Sequence, residues 1–171
     1  MFWKRQQQSP ETDSAGTARL TEVVRQHLTG TDDETLRIVV AVAGLLASVA
    51  YADRDFSEDE EAKVVEELGR VQGLTPDGPR AVCAALRDNV LELSTTQTPR
   101  FARTLMELGD RDLRREVLRL LLELAAADGT ISLDEVNHLR LLTQTLGLTQ
   151  DDYNELQARH RDKLASLRRP Q

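Results

Sequence analysis

The hydrophobic and polar residues of this chain repeat with the period of an α-helix along most of its length. Apolar positions recur every three or four residues in successive segments, which are separated by Gly, Pro, Thr or Asp residues that start and stop helices. No segment shows a convincing period of two, the mark of a β-strand. The pattern predicts an all-α protein, a single-domain bundle of about seven to eight helices.

One pattern of residues occurs twice, 75 positions apart. An apolar helix ends in Ala-x-Ala-Asp, a short turn follows, and Ser-x-Asp-Glu opens a second, amphipathic helix. Sliding one copy onto the other aligns Asp53 with Asp128 and Glu60 with Glu135. The sequence therefore predicts two repeated units, each consisting of a helix, an acidic turn and a second helix.

The predicted domain spans residues 16–168, with its two repeat units at about residues 34–75 and 110–150. Residues 1–15 are polar and aperiodic, which predicts a disordered tail, and residues 169–171 form a short tail at the other end. At 171 residues, the chain is long enough to bury one hydrophobic core without disulfides or metals.

Helix starts are predicted at residues that can cap them. Thr31 and Glu34 have the spacing of a capping box, and Thr75 precedes Pro76 as a cap precedes a proline in the first turn of a helix. The helix that begins there is predicted to continue without a break to Leu93. Further caps are predicted at Ser57, Thr98, Asp110, Ser132 and Thr149.

Charge and composition narrow the choice of partners and location. The formal net charge of −7 argues against general nucleic-acid binding, because neutralising phosphates requires clustered Lys and Arg. The single cysteine, Cys83, excludes an internal disulfide and is predicted to be buried. The longest apolar run, residues 38–52, is too short to span a bilayer, and no secretory signal is recognisable. We predict a soluble cytoplasmic protein, with contact at the inner face of the membrane through Phe2, Trp3 and the basic C-terminal segment as an alternative.

The acidic turns carry the candidate metal ligands. Carboxylate oxygens are the ligands that Ca²⁺, Mg²⁺ and Mn²⁺ prefer. Neither turn is an EF-hand, because one has apolar residues at the early ligand positions and the other lacks the central glycine and the closing glutamate. The four main candidates are Asp53, Glu60, Asp128 and Glu135, and the secondary candidates are Asp55, Asp59 and Asp134.

Helix capping is the competing explanation of these carboxylates. Glu60 and Glu135 are the last residues of predicted capping boxes, so a structural role accounts for them. Capping does not account for Asp53 and Asp128, which follow the two apolar helices at matching places. If the two units pack about a pseudo-twofold axis, these aspartates converge on one surface or cleft.

The sequence contains no recognisable catalytic constellation. His27, His138 and His160 lie in unrelated contexts and are predicted to be surface or edge residues, and the common zinc-protease, nucleophile-elbow, P-loop and Rossmann motifs are absent. We therefore predict that the protein is not an enzyme. The alternative is a metal-dependent hydrolase with Asp53 and Asp128 as ligands and His138 as the base.

Residues 125–135, which read AAADGTISLDE, resemble the signature of the TerB-like tellurite-resistance family. Relatives of that family include the amino-terminal domain of a membrane-anchored DnaJ-like co-chaperone. Residues 50–60 match the same signature except that Arg54 replaces a glycine, and the similarity covers roughly residues 34–156. The resemblance implies an all-helical domain without known catalysis, linked to tellurite resistance and to chemical or envelope stress.

The resemblance also implies divalent-metal binding at Asp53, Glu60, Asp128 and Glu135. Arg54 argues against metal binding in the first turn, because its guanidinium cation can pair with the carboxylates that a metal would use. We expect a non-enzymatic module whose acidic turns bind a divalent cation or a protein partner. A structural subunit that forms homo-oligomers or docks to a membrane surface is the remaining alternative.

Overall fold

The computed structural model describes residues 13–54 and 56–163, and within these ranges the protein is built from α-helices without a β-strand. The prediction of an all-α fold is confirmed. The elements follow in the order α1 (Ala15–His27), α2 (Asp33–Ala50), α3 (Glu58–Leu68), α4 (Gly78–Asp88), α5 (Val90–Thr95), α6 (Thr98–Leu108), α7 (Arg111–Ala125), α8 (Leu133–Thr145), α9 (Gln150–Gln157) and a terminal 3₁₀ segment (Ala158–Lys163).

Helix α2 forms the centre of the bundle. Its sequence is apolar on nearly all sides, and α1 and α3 to α8 all pack against it. Leu45, Ala47 and Val49 are fully buried. A Cβ atom at Gly44 would overlap the ring of Phe101, so the glycine allows α6 to lie directly against the α2 backbone.

Helix α1 is joined to the loop between α3 and α4 by backbone hydrogen bonds. The Thr29 N–H donates to the Gly73 carbonyl at 2.9 Å, and the Thr75 N–H donates to the His27 carbonyl at 2.8 Å. On its inner face α1 contributes the fully buried Leu20 to the core. The first helix is therefore an integral part of the domain.

Two predicted helix starts are wrong. Helix α2 is capped by Asp32, whose carboxylate accepts the Thr35 N–H at 2.7 Å, and no box forms at Thr31. Thr75 caps no helix, because its hydroxyl is hydrogen-bonded to Nδ1 of His27 at 2.8 Å and α4 begins three residues later.

The helix predicted to run from Thr75 to Leu93 is broken at Asn89. Asn89 leaves the helical conformation with a φ of −121°, and its side-chain amide donates to the Ala85 carbonyl at 2.8 Å. The break separates α4 from α5 and brings the number of α-helices described to nine. Thr98 is the first residue of α6, where the prediction made it the cap.

The remaining predicted caps, and the buried cysteine, are confirmed. Cys83 has 2% of its surface exposed, and burial raises the pKa of its thiol to about 11, so it is an inert core residue. Among the described residues, no helix combines the length and apolar character needed to cross a bilayer. The confirmed caps are Ser57, Asp110, Ser132 and Thr149, each of which accepts the N–H of the residue three positions later.

Candidate functional site

The two acidic turns connect α2 to α3 and α7 to α8. Asp53 follows the end of α2, and Asp128 follows the end of α7. Glu60 and Glu135 are the third residues of α3 and α8. Each turn therefore places one aspartate at the end of an apolar helix and one glutamate at the start of the next helix.

In the first turn, Ser57 and Glu60 form a complete capping box. The Ser57 hydroxyl accepts the Glu60 N–H at 3.2 Å, and the Ser57 N–H donates to Oε2 of Glu60 at 2.9 Å. Only 2% of Glu60 is exposed. The capping box thus holds the Glu60 carboxylate in a buried position.

The second turn has the same arrangement. The Ser132 hydroxyl accepts the Glu135 N–H at 3.2 Å, the Ser132 N–H donates to Oε2 of Glu135 at 2.7 Å, and Glu135 is again 2% exposed. Asp128 accepts the Thr130 N–H at 3.0 Å through Oδ1, which closes the turn locally. The capping roles predicted for both glutamates are therefore present.

The two turns lie close enough for their carboxylates to repel one another. Burial, opposed by the bonds to Ser57 and assisted by the charges of Glu135 and Asp53, raises the pKa of Glu60 to about 7. Burial likewise raises the pKa of Glu135 to about 7, with Asp53 and Asp128 adding to the effect. We call Asp53, Glu60, Asp128 and Glu135 the four-carboxylate cluster.

The start of α9 carries a third capping box, which can be compared with the two boxes of this cluster. Asp152 closes a third capping box with Thr149 and is 3% exposed, but it is paired with Arg111 at 2.9 Å and also with Arg115. The Thr149 bonds and the two guanidinium groups lower the pKa of Asp152 to about 2. Among the described residues, the main charged neighbours of Glu60 are Glu135 and Asp53, and those of Glu135 are Asp53 and Asp128.

The cluster fits a hard cation in its chemistry, but it is not a closed coordination shell. Asp53 and Asp128 are exposed, and Glu60 and Glu135 are buried. Within residues 13–54 and 56–163, no three His, Cys, Asp or Glu side chains are close enough together to hold a metal ion. Mg²⁺ is commonly bound by only one or two carboxylates and keeps several water molecules, so such a cation would not need three of these side chains at once.

The secondary candidates are peripheral. Asp59 and Asp134 are exposed in the first turns of α3 and α8, where a carboxylate interacts favourably with the positive end of the helix. Asp55 lies outside the described residues, as do Phe2, Trp3 and the basic positions after residue 163.

Arg54 occupies the position that corresponds to Gly129, and both residues adopt a positive φ, 67° and 91° respectively. Its guanidinium makes no ion pair with a carboxylate in the described part of the chain. Instead, Arg54 lines a cavity together with Ser48 and His138. The pairing with cluster carboxylates that the sequence suggested for Arg54 is not present.

His138, predicted to be a surface or edge residue, has a partner that the sequence did not indicate. The side chain is half-buried, and its Nε2 lies 3.0 Å from the hydroxyl of the buried Ser48 on α2. Burial lowers the pKa of His138. The one available signal was Ser48 itself, a polar residue in an otherwise apolar helix that needed a partner.

The fold and the turns define the class of this protein as an all-α domain whose two helix–acidic turn–helix segments bring four carboxylates together. The family model described as "Tellurite resistance protein TerB" matches residues 39–158, more than two-thirds of the chain. The protein therefore belongs to the TerB family. Neither the curated proteins nor the solved structures include a match to this chain.

Proposed function

We propose that this protein is a non-catalytic TerB module whose four-carboxylate cluster takes up a hard divalent cation, Ca²⁺, Mg²⁺ or Mn²⁺. The observation that carries the proposal is that the charged groups acting most strongly on the buried Glu60 and Glu135, among the described residues, are other carboxylates. The equivalent Asp152 has two arginines. A divalent cation would supply at the cluster the positive charge that arginines supply at α9.

The position of His138 supports a non-catalytic role. A hydrolase built on Asp53 and Asp128 would need a base beside the bound cation. His138 is engaged by Ser48 and lines a cavity that no member of the four-carboxylate cluster lines. A bound cation would therefore act on the conformation of the two turns, and through them on a partner, rather than on a substrate.

A thermal unfolding titration tests the proposal. The full chain is treated with EDTA, dialysed into 0.15 M KCl at pH 8 and titrated with Ca²⁺, Mg²⁺ and Mn²⁺. A cation that binds the native state at a hundred times its Kd adds about 2.7 kcal/mol to the free energy of unfolding, which raises Tm by several degrees. Asp53→Asn combined with Asp128→Asn should lower the affinity for that cation at least tenfold.

The matched control removes two exposed glutamates elsewhere, Glu34→Gln with Glu107→Gln, and should keep the full response. Two results would overturn the proposal. One is the absence of a Tm shift with every cation. The other is an equal loss of the shift in both double variants, which would mark general charge screening and not a site.

A further inference from the structure

The cavity lined by Ser48, Arg54 and His138 lies where the end of α2 and the turn after it meet α5 and α8. Its volume is about 420 Å³, within the range of small-molecule sites. No residue of the four-carboxylate cluster lines it, so it is a separate site. The lining residues that carry chemistry are Ser48, Arg54, Leu91, Thr95 and His138.

His138, which lines this cavity, carries a hydrogen-bond acceptor. The Ser48 hydroxyl has one hydrogen and donates it to the Leu45 carbonyl at 2.8 Å, so the 3.0 Å contact with His138 must use a hydrogen on Nε2. In a neutral imidazole, Nδ1 is then an acceptor. Burial lowers the pKa of His138 and keeps it neutral, and no group in the described residues donates to Nδ1.

Arg54 supplies a cation at the rim of the same cavity. It is exposed, and its guanidinium has no ion-pair partner among the described residues although the chain carries a net charge of −7. Its φ of 67° is unfavourable for a residue with a side chain. A planar guanidinium of this kind binds a carboxylate through two parallel hydrogen bonds.

Leu91 supplies an apolar wall. Its side chain lines the cavity and is 63% exposed, the most exposed large hydrophobic residue in the described part of the chain. The neighbouring Ser94 and Thr95 direct their hydroxyl hydrogens to the Leu91 carbonyl, at 3.3 and 2.6 Å, and thus present oxygen acceptors. The cavity therefore offers a cation, several acceptors and an uncovered apolar surface.

We propose that this cavity binds a small 2-hydroxycarboxylate with a short alkyl chain. The carboxylate pairs with Arg54, the hydroxyl donates to His138, and the alkyl chain covers Leu91. A 2-hydroxyl fits better than a 2-ammonium group, because an ammonium would add a second positive charge beside Arg54. Inorganic phosphate near neutral pH can pair with Arg54 and donate its remaining P–OH hydrogen to the imidazole, but it has no alkyl chain to cover Leu91.

Four probes separate these contacts in an amide NMR titration of the full chain, at pH 7.5 with EDTA present so that cation binding plays no part. The probe 2-hydroxy-4-methylpentanoate offers all three contacts, 4-methylpentanoate lacks the hydroxyl, lactate lacks most of the alkyl chain, and inorganic phosphate has no alkyl chain. We expect the first probe to shift the resonances of Ser48, Arg54, Thr95 and His138 saturably in the millimolar range. The other three should bind at least fivefold more weakly.

The deciding variant is Arg54→Gly. It removes the guanidinium and places a glycine where φ is positive, so Tm should not fall while the affinity for 2-hydroxy-4-methylpentanoate drops at least tenfold. Arg80→Gln, an equal loss of charge at an exposed position of α4 outside the cavity, should bind like the wild type.

Three results would overturn this assignment. They are the absence of saturable shifts at these residues with the first probe, undiminished binding by Arg54→Gly, and phosphate binding as tightly as the hydroxycarboxylate at the same residues. Because the titration contains EDTA and uses no cluster variant, its outcome is independent of whether the acidic turns bind a cation.

Discussion

The start of α9 and the two acidic turns use the same capping box with opposite electrostatic results. At α9, the hydrogen bonds from Thr149, together with the pairs to Arg111 and Arg115, lower the pKa of Asp152 to about 2. At α3 and α8, Glu60 and Glu135 make the same backbone bonds, but their pKa values rise to about 7. The local sequence sets the geometry of a cap, and the neighbours in the fold decide whether its charge is balanced.

This difference distinguishes a capping box with a purely structural role from a candidate binding site. In the α9 box the charge of Asp152 is balanced by two arginines, so helix capping accounts for it fully. The boxes of α3 and α8 hold two buried carboxyls beside two further carboxylates, an arrangement that costs stability at neutral pH. Proteins commonly break a stability rule of this kind at functional positions.

The largest effect is expected from Glu60→Gln combined with Glu135→Gln. Glutamine can still serve in the capping box, while the charge is removed. A raised pKa means that stability from these groups is full below about pH 4.5 and is lost as the pH rises through about 7. Urea unfolding with EDTA should show the double variant more stable than the wild type by on the order of 3 kcal/mol at pH 8, and nearly equal at pH 5.

The same measurement on Glu34→Gln with Glu107→Gln should keep the pH dependence of the wild type. His138, whose lowered pKa favours stability as the pH rises, is present in every protein compared and so does not affect the difference. Equal pH slopes for the wild type and the Glu60 and Glu135 variant would contradict the unbalanced charge inferred at the acidic turns.

Arg115→Met should give the next largest effect. It removes a positive charge beside Asp152, so the capping box of α9 then resembles those of α3 and α8. The methionine keeps an apolar stem while Asp152, 3% exposed, loses one of its two guanidinium partners. We expect Tm to fall by about 5 °C at pH 7 in a calorimetric scan. In an Asp152→Asn background the same change should cost clearly less, and an equal cost in both backgrounds would show that the ion pair is not the cause.

Removing the cap hydroxyls should have similar effects at all three boxes. Ser57→Ala, Ser132→Ala and Thr149→Ala each remove the hydroxyl that accepts a helix N–H, at a cost of about 1 kcal/mol in urea unfolding. At Ser57 and Thr149 the lost hydroxyl also donates to the carboxylate of its box. The Ser→Thr replacements at the first two positions are the controls and should cost less. Costs that differ severalfold among the three boxes would show that the caps themselves, and not their charged neighbours, distinguish the sites.

The smallest effect sharpens the comparison of the two acidic turns with each other. Arg54→Gly should stabilise the protein by about 0.5–1 kcal/mol, since Arg54 has a positive φ, and Gly129→Ala should destabilise it by about the same amount. A Cβ at Gly129 has no atom within 4 Å, so backbone strain alone should account for that loss. Thermal unfolding checks both signs, and two changes of the same sign would refute the equivalence of these positions.

Much of the acidic turns could be predicted from sequence, because their signals are local. The serine caps, the glutamates three residues later and the end of each apolar helix all lie within about ten residues. Local signals gave wrong predictions at three other places. The neighbouring Asp32 caps α2 in place of Thr31, and Thr75 is hydrogen-bonded to His27 and caps no helix. Asn89 interrupts a helix that periodicity alone would continue.

The charge balance of the capping boxes and the cavity beside His138 could not be predicted, because both depend on contacts between distant segments. Asp152 meets arginines some 40 positions earlier in the chain, and His138 meets Ser48 across 90 positions. Nothing in the spacing of these residues indicates that they meet. The repetition of the whole unit likewise stays a prediction, although the two turns share their caps and their positive φ.

The hydrogen bonds between α1 and the loop after α3 bear on how this protein can be truncated. The region of family similarity begins at residue 39, inside α2, whereas Leu20 and Val24 of α1 are fully buried and Thr29 is bonded to Gly73. A fragment trimmed to residues 39–158 would expose an apolar face of the core and leave that loop without its partner. The segment that family similarity recognises is thus shorter than the segment that builds the hydrophobic core.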